Sequence, residues 1–378
     1  MNRESNDYLD TNPFTPVFGK VPPFMVGRRQ VIDDILVMFE RPMNSPDRCS
    51  LFVGARGTGK TALLAYLAQE AGQRGWIVAD VTAGRGMLDD IEQQVADAAG
   101  HLISPARGGG VTGLGVAGIG NVSWRPAEEP ARNWRSRMNA MLDELDATGT
   151  GVLITVDEVN PHLEEMVQLV TVYQHFVRED RRVALLMAGL PYRMNQLLSG
   201  ESTSFLRRAA RHNLGSIPAF EVKEGFRLTV EESGRAIGDE ALERAAEAIG
   251  GFPFMFQLVG YRAWNAAGNE APAITCEHVV QGARLAREEL SCRVFDATLA
   301  ELSEGDVAFL DAMAAEGDIV ERTRLAQRLG RSSGYISTYK KRLLEAGVIE
   351  EPRRGLLSFA LPGFSDWLRA GDVRVEPR

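Results

Sequence analysis

The stretch "GARGTGKT" at residues 54–61 constrains this chain more than any other part of its sequence. It satisfies the pattern G-x-x-x-x-G-K-[ST], with an apolar run, "CSLFV" (49–53), directly before it and a helical pattern, "TALLAYLAQEAG" (61–72), directly after it. In that setting the loop amides and the positive end of the helix dipole hold a phosphate group, and glycine lets the backbone approach it. The predicted nucleotide contacts in this loop are Gly54, Ala55, Arg56, Gly57, Thr58, Gly59, Lys60, Thr61 and Ala62.

The residue types also predict the chemistry of this site. Lys60 is placed to bridge the β- and γ-phosphates, and the Thr61 hydroxyl is placed to ligate Mg²⁺. A second apolar run, "GVLITVDEVN" (151–160), ends in two acids, of which Asp157 would hold the metal and Glu158 would polarise the attacking water. The sequence thus predicts an ATPase that uses ATP/ADP and Mg²⁺, with Lys60 and Glu158 as catalytic residues.

Short apolar runs alternate with amphipathic helical stretches up to about residue 220. The runs at 49–53, 76–81, 151–156 and 182–188 have the continuous apolar character of strands that are buried on both faces. Such alternation predicts an α/β fold with a parallel sheet. Beyond it the pattern is helical, at roughly 239–249, 253–267 and 276–290, and then come short helices with a β-hairpin between about 300 and 372.

These patterns predict four segments. They are an N-terminal arm (1–22), a P-loop ATPase α/β domain (23–219), a helical lid domain (220–295) and a C-terminal winged-helix domain (296–378). The polar N-terminus has no apolar signal region, the apolar runs are too short to cross a bilayer, and the three cysteines lack metal-ligand spacing. We expect a cytoplasmic protein with reduced thiols and no membrane partner.

Two further motifs resemble those of known ATPases. "FMVGRRQVIDDIL" (24–36) resembles the hydrophobic-hydrophobic-Gly-Arg-Glu motif of the origin-recognition-type AAA+ initiators and the STAND signalling ATPases, with Arg29 where an acid is usual. "GGFPFMFQLVG" (250–260) resembles the Gly-x-Pro motif of their lid. The resemblance covers residues 13–290. It implies that Val26, Gly27 and Arg28 pack near the adenine and that Pro253 closes over it.

The chain departs from the AAA+ pattern in two places. The segment "MAGLP" (187–191), after the fourth strand, lacks the polar sensor residue, and "FMFQL" (254–258) lacks the lid arginine. These departures predict slow hydrolysis and a nucleotide-set switch rather than a motor.

The segment "SFLRRAARHNLG" (204–215) precedes an expected fifth strand. Arg207 and Arg208, with Arg211 nearby, resemble the finger that AAA+ subunits insert into a neighbouring site, which implies a homo-oligomer. Surface arginines on a short helix are an equally good interpretation.

"TRLAQRLGRSSGYISTYKKRLLEAGVIEEPRRGLLSFAL" (323–361) has the pattern of a helix-turn-helix followed by a hairpin, and it resembles a winged helix. Residues 321–354 hold nine Lys/Arg and four Asp/Glu, a net +5, so the rest of this −9 chain carries −14. A local basic segment on an acidic protein favours a duplex DNA partner. The predicted DNA contacts are Arg331, Ser332, Ser333, Tyr335, Thr338, Lys341, Arg342, Arg353 and Arg354.

Three functions remain open on the sequence. The first is ATP-controlled binding to duplex DNA, the second is a STAND-like switch whose winged helix contacts a protein partner, and the third is an ATP-binding structural subunit.

A further glycine motif, "GLGVAG" (113–118), fits the dinucleotide pattern, but no strand leads into it and no helix follows it. We expect residues 107–124 to form an exposed, partly apolar insertion that contacts DNA, a neighbouring subunit or a partner.

Overall fold

The computed structural model describes residues 12–17, 19–100 and 133–371. The predicted insertion at 107–124 lies outside the described residues. No helix in the described ranges is long and apolar enough to cross a membrane.

The first unit is a five-stranded sheet flanked by helices. Its strands are β1 (Cys49–Val53), β2 (Ile77–Thr82), β3 (Val152–Asp157), β4 (Val183–Gly189) and β5 (Ala210–Asn213). Its helices are α1 (Arg29–Glu40), α2 (Lys60–Gln73), α3 (Met87–Ala99), α4 (Trp134–Asp146), α5 (Glu164–Arg178) and α6 (Pro191–Ser199). All pairings are parallel, in the order β2-β3-β4-β1-β5.

The predicted α/β class and parallel sheet are confirmed. β3 and β4 are buried on both faces, which is why they are continuous apolar runs in the sequence. One apolar core on each face of the sheet packs it against its helices. The fifth strand differs from the prediction, because it lies inside the 204–215 segment rather than after it, so that Arg211 is on β5 itself.

A helical unit follows the sheet. It contains α7 (Ala219–Glu232), α8 (Asp239–Ile249), α9 (Pro253–Ala267) and α10 (Cys276–Leu290), with the two-residue strands β6 (Ala236–Ile237) and β7 (Ala273–Ile274). The N-terminal segment packs on this unit, since Phe14 lies in its core against Gly260 and the Asn12 side chain donates to the Tyr261 carbonyl.

The C-terminal unit contains α12 (Glu304–Glu316), β8 (Ile319–Glu321), α13 (Arg322–Leu329), α14 (Ser333–Glu345), β9 (Ile349–Arg353), β10 (Leu356–Phe359) and α15 (Phe364–Ala370). Its antiparallel sheet has the order β8-β10-β9. A π-helical segment, Ser291–Phe295, and α11 (Asp296–Ala300) join it to α10. The two units share one apolar core, in which the Phe295 and Phe364 rings lie 5.0 Å apart.

Candidate functional site

The loop at 54–61 lies at the carboxyl end of β1. Gly57 and Gly59 have φ of +76° and +83°, a backbone region that side chains with a Cβ rarely adopt. Gly54 is buried, and a Cβ on it would lie 2.6 Å from the Thr58 hydroxyl oxygen. Glycine is therefore required by the shape of the loop itself, and a glycine-rich loop that leads into a helix N-terminus is the kind of backbone that binds phosphate.

Lys60 and Thr61 begin α2 at the end of this loop. The Lys60 ammonium donates to the carbonyls of Gly54 and Ala55, at 2.9 and 2.6 Å. Burial lowers the pKa of Lys60 to about 8, while Asp157 and Glu158 oppose this shift. A partly buried cation held inside its own loop is well placed to bind an anion.

Asp157 ends β3 beside this loop. Its Oδ2 accepts a hydrogen bond from the Thr61 hydroxyl at 2.5 Å, and its Oδ1 accepts from the Glu158 amide at 2.8 Å. The sheet thus brings together two oxygen groups that lie 96 positions apart in the chain. A hydroxyl and a carboxylate are oxygen ligands of the type that Mg²⁺ prefers, so the pair could hold this ion.

Glu158 is exposed and has φ of +54°. In the described residues only Asp180 shares this left-handed conformation among residues other than glycine. Such a conformation costs free energy and concentrates at functional sites.

The 24–28 segment lies against both the loop and the helical unit. Val26 packs on Gly225 of α7, where a Cβ would lie 2.4 Å from Val26 Cγ2. Arg28 donates to the Gly215 carbonyl at 2.6 Å and to the Thr58 carbonyl at 3.4 Å, and burial lowers its pKa. Gly27, with φ of +76°, packs against Ile217.

The helical unit meets the loop through the residues that start α9. A Cβ on Gly57 would lie 2.2 Å from Phe252 Cζ, and a Cβ on Gly59 would lie 3.5 Å from Pro253 Cβ. Sequence reasoning identified Pro253 but missed Phe252. The apolar residue between the glycine and the proline of "GFP" was the available signal.

The arginines of 204–215 lie next to the edge strand β5. Arg207 and Arg208 are exposed on a single 3₁₀ turn, and the Arg207 guanidinium donates to the Leu198 carbonyl. Arg211 donates to the side chains of Asn195 and Asn213.

Most of the predicted DNA contacts are on the surface of the C-terminal unit. Ser332 caps α14 by accepting from the Tyr335 amide at 3.3 Å, and Ser333 is the first residue of this helix. Thr338 donates to the Gly334 carbonyl. The predicted contacts that are exposed are Arg331, Ser332, Ser333, Thr338, Lys341, Arg342, Arg353 and Arg354.

Arg342 and Tyr335 were predicted as DNA contacts, and the structure gives both of them partners within the C-terminal unit. Arg342 donates to Oδ2 of Asp306 at 2.6 Å, and Asp306 is only 1% exposed. A buried carboxylate needs a cation and hydrogen bonds, so it holds Arg342 against α12. Tyr335 is half-buried and packs on Tyr339, with ring centroids 4.4 Å apart.

Comparison with known proteins matches residues 293–368 to the family described as Domain of unknown function (DUF8462). A search of curated proteins finds no match. Among solved structures, the chain is similar to the ADP form of the Aeropyrum pernix ORC2 protein, at 14% identity and a TM-score of 0.57, covering 94% of this chain and 97% of that one. The same protein with ADPNP and ADP aligns at 15% identity and a TM-score of 0.50, over 97% and 98%. Cdc6p from Pyrobaculum aerophilum aligns at 15% identity and a TM-score of 0.49, over 95% and 98%.

Together the sheet order, the loop at 54–61 and the full-length alignments define the class of fold. It is the fold of the Aeropyrum pernix ORC2 protein, a parallel sheet with the loop at 54–61 at the carboxyl end of β1. The resemblance drawn from the sequence is thereby confirmed for the fold.

Proposed function

We propose that this protein binds ATP and hydrolyses it slowly, and that its nucleotide state controls duplex DNA binding through a C-terminal winged helix. The observation that carries the nucleotide part is the convergence of distant segments on one loop. Lys60 and Thr61 end the loop itself, and Arg28, Asp157 and Pro253, from three other places in the sequence, all lie beside it.

In this proposal the loop amides and Lys60 hold the phosphates, and Val26, Gly27 and Pro253 pack near the base. Thr61 and Asp157 would hold Mg²⁺, which neutralises charge on the phosphate oxygens when bound. Glu158, which is exposed and follows Asp157 in the chain, is the general base that takes a proton from the attacking water. The aliphatic "AGL" at 188–190 supplies no sensor side chain, which supports slow turnover.

Two substitutions test the nucleotide part. Lys60→Ala should weaken ATP binding about 30-fold or more, because it removes a charge-assisted hydrogen bond to phosphate inside a partly buried site. The matched control is Lys223→Ala, which removes a half-buried lysine that pairs with Glu243 in the helical unit. Glu158→Gln should keep ATP affinity and lower the hydrolysis rate by roughly 10²–10⁴. Unchanged ATP affinity in Lys60→Ala would refute nucleotide binding at this loop.

For the C-terminal unit, the element order and the antiparallel β8-β10-β9 sheet support a winged helix with α14 as its recognition helix. Within the described residues Arg353 and Arg354, at the β9–β10 turn, form no ion pair, and both are exposed, so they are free to lie along phosphates.

DNA binding has a direct test. Fluorescence anisotropy of labelled duplex DNA, measured over a salt series with ADP or with ATP, should show a steep salt slope that depends on the nucleotide. Replacing Arg353 and Arg354 by Ala should reduce that slope by about 0.9 for each phosphate that these side chains neutralise. Arg244→Ala on the helical unit is the control, and the absence of binding at low salt would refute the DNA function.

A STAND-like switch with a protein partner is the second candidate. It is favoured by one observation, that Lys340 and Arg342 of the recognition helix form ion pairs with Glu351 and Asp306 inside the C-terminal unit. Because these two cations stabilise the C-terminal unit itself, fewer cations of this unit are available to bind DNA phosphates.

Arg207 and Arg208 are proposed as a finger for a neighbouring subunit. Their exposure on the turn before β5 supports this role. Arg207→Ala or Arg208→Ala should then abolish hydrolysis and retain ATP binding, and unchanged turnover in both variants would refute it.

A further inference from the structure

The C-terminal unit contacts the ATPase unit through the loop that follows α14. Gly347 is buried, has φ of +70°, and a Cβ on it would lie 2.7 Å from Leu190 Cδ1. Leu190 directly follows β4, at the same carboxyl edge of the sheet that carries Gly54, since Gly54 donates to the Gly189 carbonyl. Tyr192 of α6 packs against the core that the helical and C-terminal units share.

Strand β9, which begins two residues after Gly347, carries two adjacent acids, Glu350 and Glu351. Glu351 is bound inside the C-terminal unit, where its carboxylate accepts from Lys340 at 2.8 Å and from the Gly355 amide at 2.9 Å. Successive side chains of a strand point to opposite faces, so Glu350 points away from these partners. Glu350 is half-buried, and the described part of the chain gives its carboxylate no hydrogen bond or ion pair.

The Glu350 carboxylate interacts electrostatically with the Lys60 ammonium at the end of the nucleotide loop. Burial raises the pKa of Glu350 and the Lys60 ammonium lowers it, while Glu350 in turn raises the pKa of Lys60. Together with the contact of Gly347 on Leu190, this interaction places an otherwise unpartnered carboxylate of the C-terminal unit within electrostatic reach of the lysine that is proposed to bind phosphate.

A phosphate held by Lys60 and the carboxylate of Glu350 would be two anions near one cation in a partly buried place. Like charges in such surroundings repel strongly. We propose that Glu350 belongs to the nucleotide site and that its repulsion of bound phosphate makes nucleotide binding and docking of the C-terminal unit on Leu190 oppose each other. This inference rests on the proposed binding of a nucleotide at residues 54–61.

The coupling acts in both directions, because a change in one equilibrium that alters a second is always reciprocal. ATP should loosen the docked C-terminal unit, and loosening that unit should tighten ATP binding. With phosphate absent, the attraction between Glu350 and Lys60 favours the docked arrangement. The sign of the charge at position 350 should therefore determine whether ATP loosens or tightens the docking of the C-terminal unit.

The test uses the full-length chain as wild type, Glu350→Gln, Glu350→Lys and the control Glu345→Gln. Glu345 lies on α14 and faces Lys341, so its substitution makes the same charge change elsewhere in the unit. Two quantities are measured with Mg²⁺-ATP. They are the dissociation constant, by equilibrium titration, and the radius of gyration, by small-angle X-ray scattering with and without ATP.

Glu350→Gln should bind ATP about 3- to 30-fold more tightly than wild type, because the repulsion is removed. ATP should increase the radius of gyration of wild type and of Glu345→Gln, should leave Glu350→Gln nearly unchanged, and should decrease that of Glu350→Lys. Equal ATP affinities in wild type and Glu350→Gln, or one radius response in all four proteins, would overturn the inference while nucleotide binding stands. Failure of every protein to bind ATP would instead refute the proposed function, and the inference with it.

Discussion

The loop at 54–61 and the basic surface of α14 and the β9–β10 turn were both predicted as binding sites from short motifs. The structure shows that the predicted residues have different surroundings in the two places. At the loop, predicted residues from separate motifs lie against one another, as Thr61 lies against Asp157 and Pro253 against Gly59. On the C-terminal unit the predicted cations divide into exposed ones, such as Lys341, and one that holds a buried acid, Arg342. A motif that sets the backbone conformation also determines which residues lie next to it. A cluster of surface charges does not determine which of its members pair within the protein and which stay exposed.

The largest effect is expected at Gly57. Gly57→Ala should lower the free energy of unfolding by about 2–5 kcal/mol, since it adds strain at positive φ and a clash with the Phe252 ring. Gly75 is the matched control, because its φ of +77° is nearly the same and a Cβ there meets nothing within 4 Å. Gly75→Ala should cost about 1–2 kcal/mol in urea unfolding. Equal losses would show that Phe252 does not press on the loop.

Arg342 and Lys341 are adjacent residues that test the division on the C-terminal unit. Arg342→Ala should lower the free energy of unfolding by about 1–3 kcal/mol, because it leaves the buried Asp306 carboxylate without its cation. Lys341→Ala should change it by less than about 0.5 kcal/mol, since Lys341 is exposed. Urea denaturation measures both, and a larger loss for Lys341→Ala would reverse the assignment.

ATP affinity at the loop and DNA affinity at the C-terminal unit should also differ in their pH dependence. Lys60 has a pKa of about 8, and a bound phosphate favours its charged form. ATP affinity should therefore be independent of this group below pH 8 and fall above it, by up to about tenfold per pH unit.

DNA binding through Arg353 and Arg354 should remain steady over the same range, since guanidinium groups stay charged. Parallel titrations from about pH 7 to about pH 9.5 measure both affinities, with Lys60→Ala as the control in which the fall in ATP affinity disappears. A wild-type ATP affinity that is constant over this whole range would contradict the prediction.

The smallest effect concerns backbone strain at Glu158. Glu158→Gly should raise the free energy of unfolding by up to about 1 kcal/mol while abolishing hydrolysis, because glycine adopts a φ of +54° without strain. Asp180, with φ of +53° in the turn before β4, is the control, and Asp180→Gly should give a similar gain with hydrolysis intact. A loss of hydrolysis in Asp180→Gly would contradict the prediction, because it would show that hydrolysis can be lost without removing the Glu158 carboxylate.

Much of the fold was predictable because buried strands and amphipathic helices follow local patterns. The predicted run at 49–53 is strand β1, and the predicted helices at 239–249, 253–267 and 276–290 have the bounds found for α8, α9 and α10. Helices α6 and α7 were not identified. The winged-helix and domain assignments, and the roles of the site residues, stay predictions.

The sequence by itself determined the parallel sheet and the loop at 54–61, because a spacing of glycines and a run of apolar residues dictate backbone shape over a few residues. Only the tertiary structure decided that Phe252 lies on Gly57, that Asp306 binds Arg342, and that Glu350 is within electrostatic reach of Lys60. Each of these pairs joins residues from different elements, and their proximity depends on how whole units pack, which no local pattern encodes.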